Sequence, residues 1–367
     1  MTSERPILLA AGGTGGHLFP AEALALVLQA RGFPVELATD SRALKYSKDF
    51  PARAVHTLPS ATPTGGSLFL KTFAAMILAR GTLRAGRLIR RIQPHVVVGF
   101  GGYPTGPPLL AATRLRVPTV LHEQNAVMGR ANRFLAGRVN AVATGFTGLG
   151  GVGPAILAKS VVTGNPLRPA VLDAGDIDYP ARTEGKMRLL VTGGSQGARV
   201  MADIVPPAIA LLQPSQRAQL QDVQQERGED AARVVEAYRR IDVSAEVQPF
   251  FADLPEQIAR AHIVIARAGA STVSELAVIG RPAILVPFPH AIDQDQAANA
   301  SMLAHTNAVT VIAQADFTAA WLAEALARAL GDPDGLARAG LAGKQAGVRD
   351  AAERLADVVL SVAKLVV

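Results

Sequence analysis

The stretch Gly12-Gly13-Thr14-Gly15-Gly16-His17 lies between an apolar run at residues 6–11 and a run at 18–28 whose apolar positions recur at helical spacing. This order predicts a strand, a glycine turn and a helix. Glycines let the backbone approach a ligand closely, and a helix N-terminus attracts negative charge. The stretch therefore predicts a loop that binds an anion, most often a phosphate.

The same arrangement returns near the middle of the chain. An apolar run at residues 189–192 precedes Gly193-Gly194-Ser195-Gln196-Gly197-Ala198, and a helical pattern follows it. A chain of 367 residues is long enough for two domains with separate cores. We therefore expect an α/β fold with two similar halves that face one cleft.

Composition narrows the class of protein. The sequence has no cysteine, which excludes a disulfide framework and thiolate chemistry. Residues 1–4 lead directly into the first apolar run without a signal segment, and no uninterrupted apolar run reaches about 18 residues. We expect a globular chain that stays in the cytosol.

The net charge of +7 is divided unevenly along the chain. Residues 1–164 carry 18 Lys and Arg against 6 Asp and Glu, whereas the remainder carries 19 against 24. Residues 50–122 contain no acidic residue. This asymmetry predicts a polyanionic partner for the first half, either a nucleic acid or an anionic membrane surface. The basic region lacks interleaved aromatic residues, so we expect no nucleic acid.

A helical pattern at residues 68–91 contains both apolar and basic side chains. One interpretation is an ordinary surface helix whose apolar stripe packs on the core. The other is an interfacial patch, in which apolar residues enter a bilayer while basic residues meet anionic headgroups. The charge asymmetry favours the second interpretation. The predicted patch comprises Phe69, Phe73, Met76, Ile77, Arg80, Arg84, Arg87 and Arg91.

Polar residues directly follow several predicted strands of the first half. The strand at 95–99 ends in Gly99-Phe100-Gly101-Gly102-Tyr103-Pro104, and the strand at 117–121 ends in His122-Glu123-Gln124-Asn125. Open α/β sheets bind ligands at the carboxyl ends of their strands. These segments therefore predict a site at that edge. Asp40 also follows a strand, where a dinucleotide-binding fold places a ribose-binding acid, but the loop is not G-x-G-x-x-G, which disfavours a nicotinamide site.

The second half repeats this pattern of small and polar residues after strands. Residues 267–275 begin a predicted helix with glycine and small hydroxyl residues, which favours an anion at its N-terminus. Glu275, about two turns into that helix, is either a solvated acid or a carboxylate that binds a ribose diol. The amides at 293–296 suit sugar hydroxyls. Pro166 and Pro169 mark an expected hinge between the halves.

Seven motifs of the sequence, taken in order and spacing, resemble those of one family. They are GGTGGH, GFGGYPTGP, LHEQNAVMGRAN, TGNPLR, GGSQGA, RAGASTVSELA and PFPHAIDQDQAANA. The family is MurG, the UDP-N-acetylglucosamine:N-acetylmuramyl-(pentapeptide) pyrophosphoryl-undecaprenol N-acetylglucosaminyltransferases of bacterial cell-wall synthesis. The resemblance extends from about residue 6 to the C-terminal helix.

The resemblance implies a glycosyltransferase of the B-type fold, with two Rossmann-like domains, no cofactor and no metal. Such an enzyme transfers GlcNAc from UDP-GlcNAc to the 4-hydroxyl of the muramyl sugar of lipid I, with inversion, and forms lipid II. It implies a peripheral protein on the cytoplasmic face of the inner membrane, with cell-wall synthesis proteins as further partners. We expect an acceptor domain at 1–164 plus the final helix at about 346–367, which packs back on it, and a donor domain at 165–345.

The resemblance also assigns residues. For the donor it implies Thr14, Gly15, Gly16, Asn125, Arg168, Ser195, Gln196, Ala270, Ser271, Glu275, Asp295 and Gln296. For the acceptor pyrophosphate it implies Gly13, Thr14, Gly15, Gly101, Gly102 and Tyr103. The sequence departs from the family pattern at Ala268, where serine is usual, at Ala202, where asparagine is common, and at Asp295, where glutamine or histidine is common.

Inverting transfer requires a base for the acceptor hydroxyl and positive charge for the departing diphosphate. The expected base is His17, whose unperturbed pKa of about 6.5 suits the role. Glu123 is the second candidate, either as the base or as the group that orients it. Two alternatives remain: another B-type UDP-sugar enzyme, such as a glycolipid glycosyltransferase or a UDP-GlcNAc 2-epimerase, and a non-catalytic subunit that binds the nucleotide sugar.

Overall fold

The structure is a computed structural model that describes residues 5–13, 15–41, 50–61, 68–182, 185–194, 197–289, 291 and 294–365, with the backbone alone at 68–71. The chain forms two compact units. Unit 1 comprises Met1–Arg168 and Arg349–Val367, and unit 2 comprises Pro169–Val348. The limits expected from the sequence were 164/165 and 345/346.

Unit 1 contains a seven-stranded parallel sheet with the order β3-β2-β1-β4-β5-β6-β7. The central strands are continuous apolar runs because helices cover both faces of a parallel sheet. The order reverses between β1 and β4, which opens a crevice at their carboxyl ends. The strands are β1 Ile7–Ala10, β2 Val35–Thr39, β3 Ala54–Thr57, β4 Val96–Gly99, β5 Thr119–Glu123, β6 Ala141–Thr144 and β7 Ser160–Val162.

The helices of unit 1 place the ends of these strands. They are α1 Gly15–Ala30, α2 Leu68–Ile92, α3 Gly106–Arg114, α4 Arg130–Ala136, α5 Pro154–Leu157 and, at the end of the chain, α15 Ala351–Val362. As expected, α15 packs on this first unit. Leu355 and Val359 lie in the same apolar core as Leu24 and Leu28 of α1, and Arg31 donates to Asp357 at 2.6 Å.

Unit 2 contains a six-stranded parallel sheet with the order β10-β9-β8-β11-β12-β13, which reverses between β8 and β11. The strands are β8 Met187–Thr192, β9 Leu220–Gln225, β10 Ala245–Gln248, β11 Ile263–Ala266, β12 Ala283–Leu285 and β13 Val309–Val311. The helices are α6 Pro169–Gly175, α7 Arg199–Ala210, α8 Pro214–Arg217, α9 Gly228–Arg240, α10 Leu254–Arg260, α11 Ala270–Ile279, α12 Asp295–Ala304, α13 Ala319–Gly331 and α14 Pro333–Ala346.

The expectation of two Rossmann-like α/β halves is confirmed, because each unit is a parallel sheet covered by helices, with one reversal of strand order. In both units a glycine loop follows the strand beside the reversal, β1 in unit 1 and β8 in unit 2. Throughout the described part of the chain, no helix is both long enough and apolar enough to cross a membrane.

Candidate functional site

In unit 1, the buried carboxylate of Asp40 holds the first glycine loop. The Gly13 N–H donates to Asp40 Oδ1 at 3.2 Å. A Cβ at Gly12 would lie 2.8 Å from Thr39 Oγ1 and 3.0 Å from Asp40 Oδ1, so only glycine fits there. The acid that follows β2 therefore holds the loop backbone by a hydrogen bond. This role agrees with the absence of the G-x-G-x-x-G pattern, which would accompany a ribose-binding acid at this position. Thr14 lies outside the described residues.

The first turn of α1 packs against the last residue of unit 1. The Arg168 guanidinium lies 3.8 Å above the ring of Phe19. On the other side, a Cβ at Gly15 would approach that ring to 3.0 Å, so Gly15 provides the space that the ring occupies. Arg168 Nε is buried and has no hydrogen-bond partner among the described residues. This N–H is a donor suited to an anion beside the start of α1.

The imidazole of His17 lies against the glycine turn that follows β4. A Cβ at Gly101 would lie 3.3 Å from His17 Cδ2, and a Cβ at Gly102 would lie 3.5 Å from His17 Cε1. Both glycines have a positive φ, +88° and +71°, which side-chain-bearing residues rarely adopt. The turn therefore provides room for the ring at the crevice between β1 and β4.

Thr105 fixes this turn to β1. Its buried hydroxyl lies 2.9 Å from the carbonyl oxygen of Ala10 and 2.7 Å from that of Gly101. The Phe100 N–H also donates to the Ala10 carbonyl, at 2.9 Å. Tyr103 lies on the short 3₁₀ turn between these anchors and is partly exposed at this edge. The two glycine turns of unit 1 are thus held side by side.

The environment of His17 keeps its imidazole neutral at neutral pH. The ring is partly exposed, yet burial lowers the pKa of His17 to about 4. A neutral imidazole has a nitrogen lone pair that can accept a proton. The imidazole is therefore unprotonated at pH 7, but a pKa of about 4 makes it a weaker base than the ordinary imidazole expected from the sequence.

Glu123, by contrast, uses both carboxylate oxygens to hold the loop after β5. Its Oε1 accepts from the Asn125 N–H at 2.9 Å and from Asn125 Nδ2 at 3.2 Å. Its Oε2 accepts from the Gly129 N–H at 3.1 Å and from Asn132 Nδ2 at 2.8 Å. Burial raises the pKa of Glu123, while these donors act in the opposite direction. The side chain is 1% exposed, so it lies behind the loop.

Asn132 connects this loop to the glycine turn beside His17. A Cβ at Gly101 would lie 3.1 Å from Asn132 Nδ2. The same Cβ would also approach His17, so both side chains lie close to Gly101. Asn132 Oδ1 is buried and accepts no hydrogen bond from the described residues. The sequence showed Asn132 and Thr105 inside quoted motifs, but neither their type nor their spacing indicated these contacts.

The segment after β7 is also tied to the end of β5. His122 Nε2 lies 3.1 Å from the Gly164 carbonyl oxygen, and Asn165 Nδ2 donates to the Gln124 carbonyl at 3.1 Å. Gln124 Nε2 in turn donates to the Phe100 carbonyl at 2.8 Å. Residues 164–165, where the sequence predicted the limit between the domains, are therefore held within unit 1.

In unit 2, the second glycine loop makes close backbone contacts. A Cβ at Gly193 would lie 2.2 Å from the Ala198 nitrogen, and one at Gly197 would lie 2.7 Å from Arg227 Cγ. Thr192 Oγ1 accepts from the Gly194 N–H at 3.2 Å and donates to Gln225 Oε1 at 2.7 Å. Ser195 and Gln196 lie outside the described residues.

The start of α11 presents unpaired backbone donors. Gly269 is its N-cap and supplies no side-chain cap. The N–H groups of Ala270 and Ser271 have no hydrogen-bond partner in the part of the chain that the structure describes. Behind them, buried Arg267 donates to the Val286 carbonyl at 2.9 Å and to Gln314 Oε1 at 2.6 Å. This helix N-terminus can bind an anion.

Polar side chains of α11 and α12 complete this edge of unit 2. Gln296 Oε1 accepts from the Phe288 N–H at 2.9 Å, which leaves its amide nitrogen as a donor. Asp295 Oδ1 accepts from the Gln296 N–H at 2.9 Å in the first turn of α12. Glu275 is partly exposed on the second turn of α11. Among the described residues, no cluster of three His, Asp or Glu side chains could hold a metal.

We predict that Glu123→Gln lowers the stability of the protein. Its amide would place an N–H₂ donor against a pair of N–H donors of the loop, and an unsatisfied buried donor costs about 1–3 kcal/mol. Thermal or urea unfolding would measure the loss against Glu353→Gln, an exposed acid of the same unit. A variant with wild-type stability and greatly reduced kcat would instead indicate that the carboxylate acts in the chemistry.

Comparisons with known proteins identify the family of this chain. Residues 7–144 match the glycosyltransferase family 28 N-terminal domain, and residues 188–355 match the family 28 C-terminal domain. A UDP-N-acetylglucosamine--N-acetylmuramyl-(pentapeptide) pyrophosphoryl-undecaprenol N-acetylglucosamine transferase of Methylobacterium sp. is 56% identical, covering 99% of this chain and 98% of that protein. The protein of the same name from Rhodopseudomonas palustris is 54% identical over the full length of both.

Solved structures give the same result at the level of the fold. MurG of Acinetobacter baumannii superposes with a TM-score of 0.78 at 27% identity, covering 97% of this chain and 99% of that chain. A UDP-GlcNAc 2-epimerase of Neisseria meningitidis reaches a TM-score of 0.67 at 14% identity, covering 96% and 99%, which shows a shared fold alone. The long, highly identical relatives therefore favour the transferase over the epimerase alternative, and the chain belongs to glycosyltransferase family 28 and, within it, to the MurG family of N-acetylglucosamine transferases.

Proposed function

We propose that this chain catalyses the reaction of its family as an inverting, metal-independent displacement on UDP-GlcNAc. The 4-hydroxyl of the muramyl sugar of lipid I attacks the anomeric carbon as UDP departs, which forms lipid II. One observation carries the proposal: the neutral imidazole of His17 lies against the turn at Gly101-Gly102, beside the glycine loop that Asp40 supports. A base next to an anion-binding loop is what attack by a diphosphate-linked sugar requires.

On the acceptor side, unit 1 would bind the pyrophosphate of lipid I. The groups that support this role are the backbone of Gly13 and Gly15, with Thr14 between them, and the turn from Gly101 to Tyr103. The acceptor hydroxyl would then lie next to His17, which takes its proton as the glycosidic bond forms. Glu123 would act as a positioning residue, because its oxygens already accept four N–H donors from the loop.

On the donor side, unit 2 would bind UDP-GlcNAc. The N–H groups of Ala270 and Ser271, with Ser195 and Gln196 of the second glycine loop, would receive the diphosphate. Glu275 would bind the ribose, and the amide nitrogen of Gln296 would donate to a GlcNAc hydroxyl, with Asp295 fixing the start of that helix. Fixed N–H dipoles stabilise the charge that develops on departing UDP.

Three further assignments involve unit 1 residues in donor binding. The buried Nε–H of Arg168 suits a phosphate oxygen. Gly16 is exposed at the start of α1, and Asn125 is partly exposed beside Glu123. We propose that these groups, together with the backbone at Gly15, contribute to binding of the nucleotide sugar.

The expected reaction is acceptor-dependent release of UDP from UDP-GlcNAc in the presence of EDTA. The assay would use a water-soluble, short-chain lipid I analogue and identify the disaccharide product by mass spectrometry. Interconversion of the sugar nucleotide without acceptor would instead indicate an epimerase. Binding of UDP-GlcNAc without turnover under either condition would indicate a non-catalytic subunit.

We predict that His17→Ala lowers kcat by about 100-fold or more, the usual effect of removing a general base. Because burial sets the pKa of the free-enzyme imidazole at about 4, kcat/KM of the wild type should fall only as the pH drops towards 4, where His17 gains its proton. His305→Ala, an exposed histidine of unit 2, is the matched control. A change confined to KM would remove His17 from the role of base.

We also propose that α2 carries unit 1 to the cytoplasmic surface of an anionic membrane. Phe73, Met76 and Leu83 expose 51%, 63% and 66% of their surface, which is unusual for large apolar residues on one helix. The arginines at 80, 84, 87 and 91 are exposed on the same helix. Leu83 was not part of the patch predicted from the sequence, Ile77 is only partly exposed, and the Phe69 side chain lies outside the described part.

We predict salt-sensitive binding to phosphatidylglycerol vesicles. Arg87→Glu with Arg91→Glu removes two basic residues worth about 1 kcal/mol each near the surface, so the affinity should fall about 30-fold or more. Sedimentation at several salt concentrations would measure this, with Arg328→Glu, an exposed arginine of unit 2, as control. Binding that is independent of salt, or equal for zwitterionic vesicles, would contradict the electrostatic contribution.

A further inference from the structure

Unit 1 contains a cavity of about 570 Å³ at the carboxyl ends of β2 and β3, closed on one side by α2. This volume lies within the range of about 300–1,000 Å³ that small-molecule sites occupy. Its wall includes Asp40 and Ser60 from the segments after the strands, and Ile77, Arg80 and Arg84 from the helix. From the sequence, Ile77, Arg80 and Arg84 were expected in a membrane patch, and no small-molecule site was expected at this position.

The two arginines of this wall have no counter-ion in the described part of the chain. Arg80 and Arg84 are four residues apart, so they lie on the same side of α2, where like charges repel each other. Neither forms a hydrogen bond or an ion pair with a described residue, whereas Arg53, on the same unit, contacts Glu36 at 2.6 Å. Two guanidinium groups beside a cavity suit an anionic occupant.

The acidic group of the wall does not fill that role. Asp40 is 3% exposed; its Oδ1 accepts from the Gly13 N–H and its Oδ2 lies 3.5 Å from Ser60 Oγ. Its charge is therefore directed to the glycine loop. The segments of the wall at 57–61 and 77–84 add no acid, because residues 50–122 contain none. An anionic ligand in the cavity could therefore pair with the two arginines.

The position of Asp40 connects the cavity to the proposed acceptor site. One face of this carboxylate holds Gly13, and the residue also lines the cavity. An occupant of the cavity would therefore lie beside the loop proposed to bind the acceptor pyrophosphate. The remaining wall mixes hydroxyl groups, such as Thr57 and Ser60, with the apolar Leu58 and Ile77, which suits an organic ligand with both polar and apolar parts.

We propose that this cavity is a subsite for the acceptor, in which Arg80 and Arg84 bind an anionic group. The inference rests on the proposed function, because it takes lipid I as the acceptor. That acceptor has two anionic groups that the arginines could bind, the terminal carboxylate of its peptide and its diphosphate. These two arginines would then act in acceptor recognition in addition to any contact with a membrane.

Steady-state kinetics with the full-length protein and a short-chain, water-soluble lipid I analogue, without vesicles, would test the subsite. The double variant Arg80→Ala/Arg84→Ala should raise KM for the acceptor more than tenfold, because hydrogen bonds to charged groups are lost, and leave KM for UDP-GlcNAc unchanged. Arg80→Lys/Arg84→Lys, which keeps both charges, should recover part of the loss. Arg90→Ala, an exposed arginine of α2 outside the cavity wall, is the matched control.

A second acceptor that lacks the peptide distinguishes the two sources. If the variant loses nothing towards that acceptor, the arginines bind the peptide carboxylate; if the loss persists, they bind the diphosphate. Equal KM values for the variant and the wild type with both soluble acceptors would overturn the subsite, even if vesicle binding fell. Wild-type turnover in the same assay reports on the proposed function separately, and thermal melting confirms that the variants are folded.

Discussion

The loops at the carboxyl edge of the unit 1 sheet depend on one buried carboxylate. Glu123 ends a central strand at a depth where a charge is unfavourable unless its oxygens accept hydrogen bonds. Four N–H donors from residues 125–132 meet that requirement, and in doing so they give the loop a defined path. The path brings Asn132 to Gly101, the same glycine against which His17 packs. This buried carboxylate can therefore control where His17, the proposed base, lies.

In each unit, a side chain holds the backbone of the glycine loop by a hydrogen bond, but the two units use different residues for this purpose. In unit 1 the acid after β2 accepts directly from the loop backbone through Gly13. In unit 2 the hydroxyl of Thr192 accepts from the loop and is itself held by Gln225 of the next strand. An acid behind the first loop adds negative charge there, whereas unit 2 uses neutral groups.

Helix α2 contributes to two surfaces, an exposed apolar one and the wall of a cavity, whereas the sequence predicted a single membrane patch. Met76 and Leu83 are among the most exposed large apolar residues of the described chain, and they suit a bilayer surface. Ile77 and Arg84, which directly follow Met76 and Leu83, line a cavity together with Arg80, which lies one turn after Met76. A helix with 3.6 residues per turn allows this division, since positions one residue apart point about 100° apart. The helix would thus bring the lipid and the head of one substrate to adjacent surfaces.

The amino-acid sequence alone determined the two α/β halves, the positions of the glycine loops and the family. Strands that are buried on both faces appear in the sequence as continuous apolar runs, and glycines mark the turns that follow them. The strands and their glycine loops can therefore be read from residues that are adjacent in the sequence. Only the tertiary structure decided the contacts of Asp40, Thr105 and Asn132 and the position of Arg80 and Arg84 beside a cavity. Thr105, for example, contacts a carbonyl 95 residues away, and Glu123 became a support for a loop because its donors surround it in space. Such contacts join separate elements of the fold, and local spacing in the sequence carries no record of them.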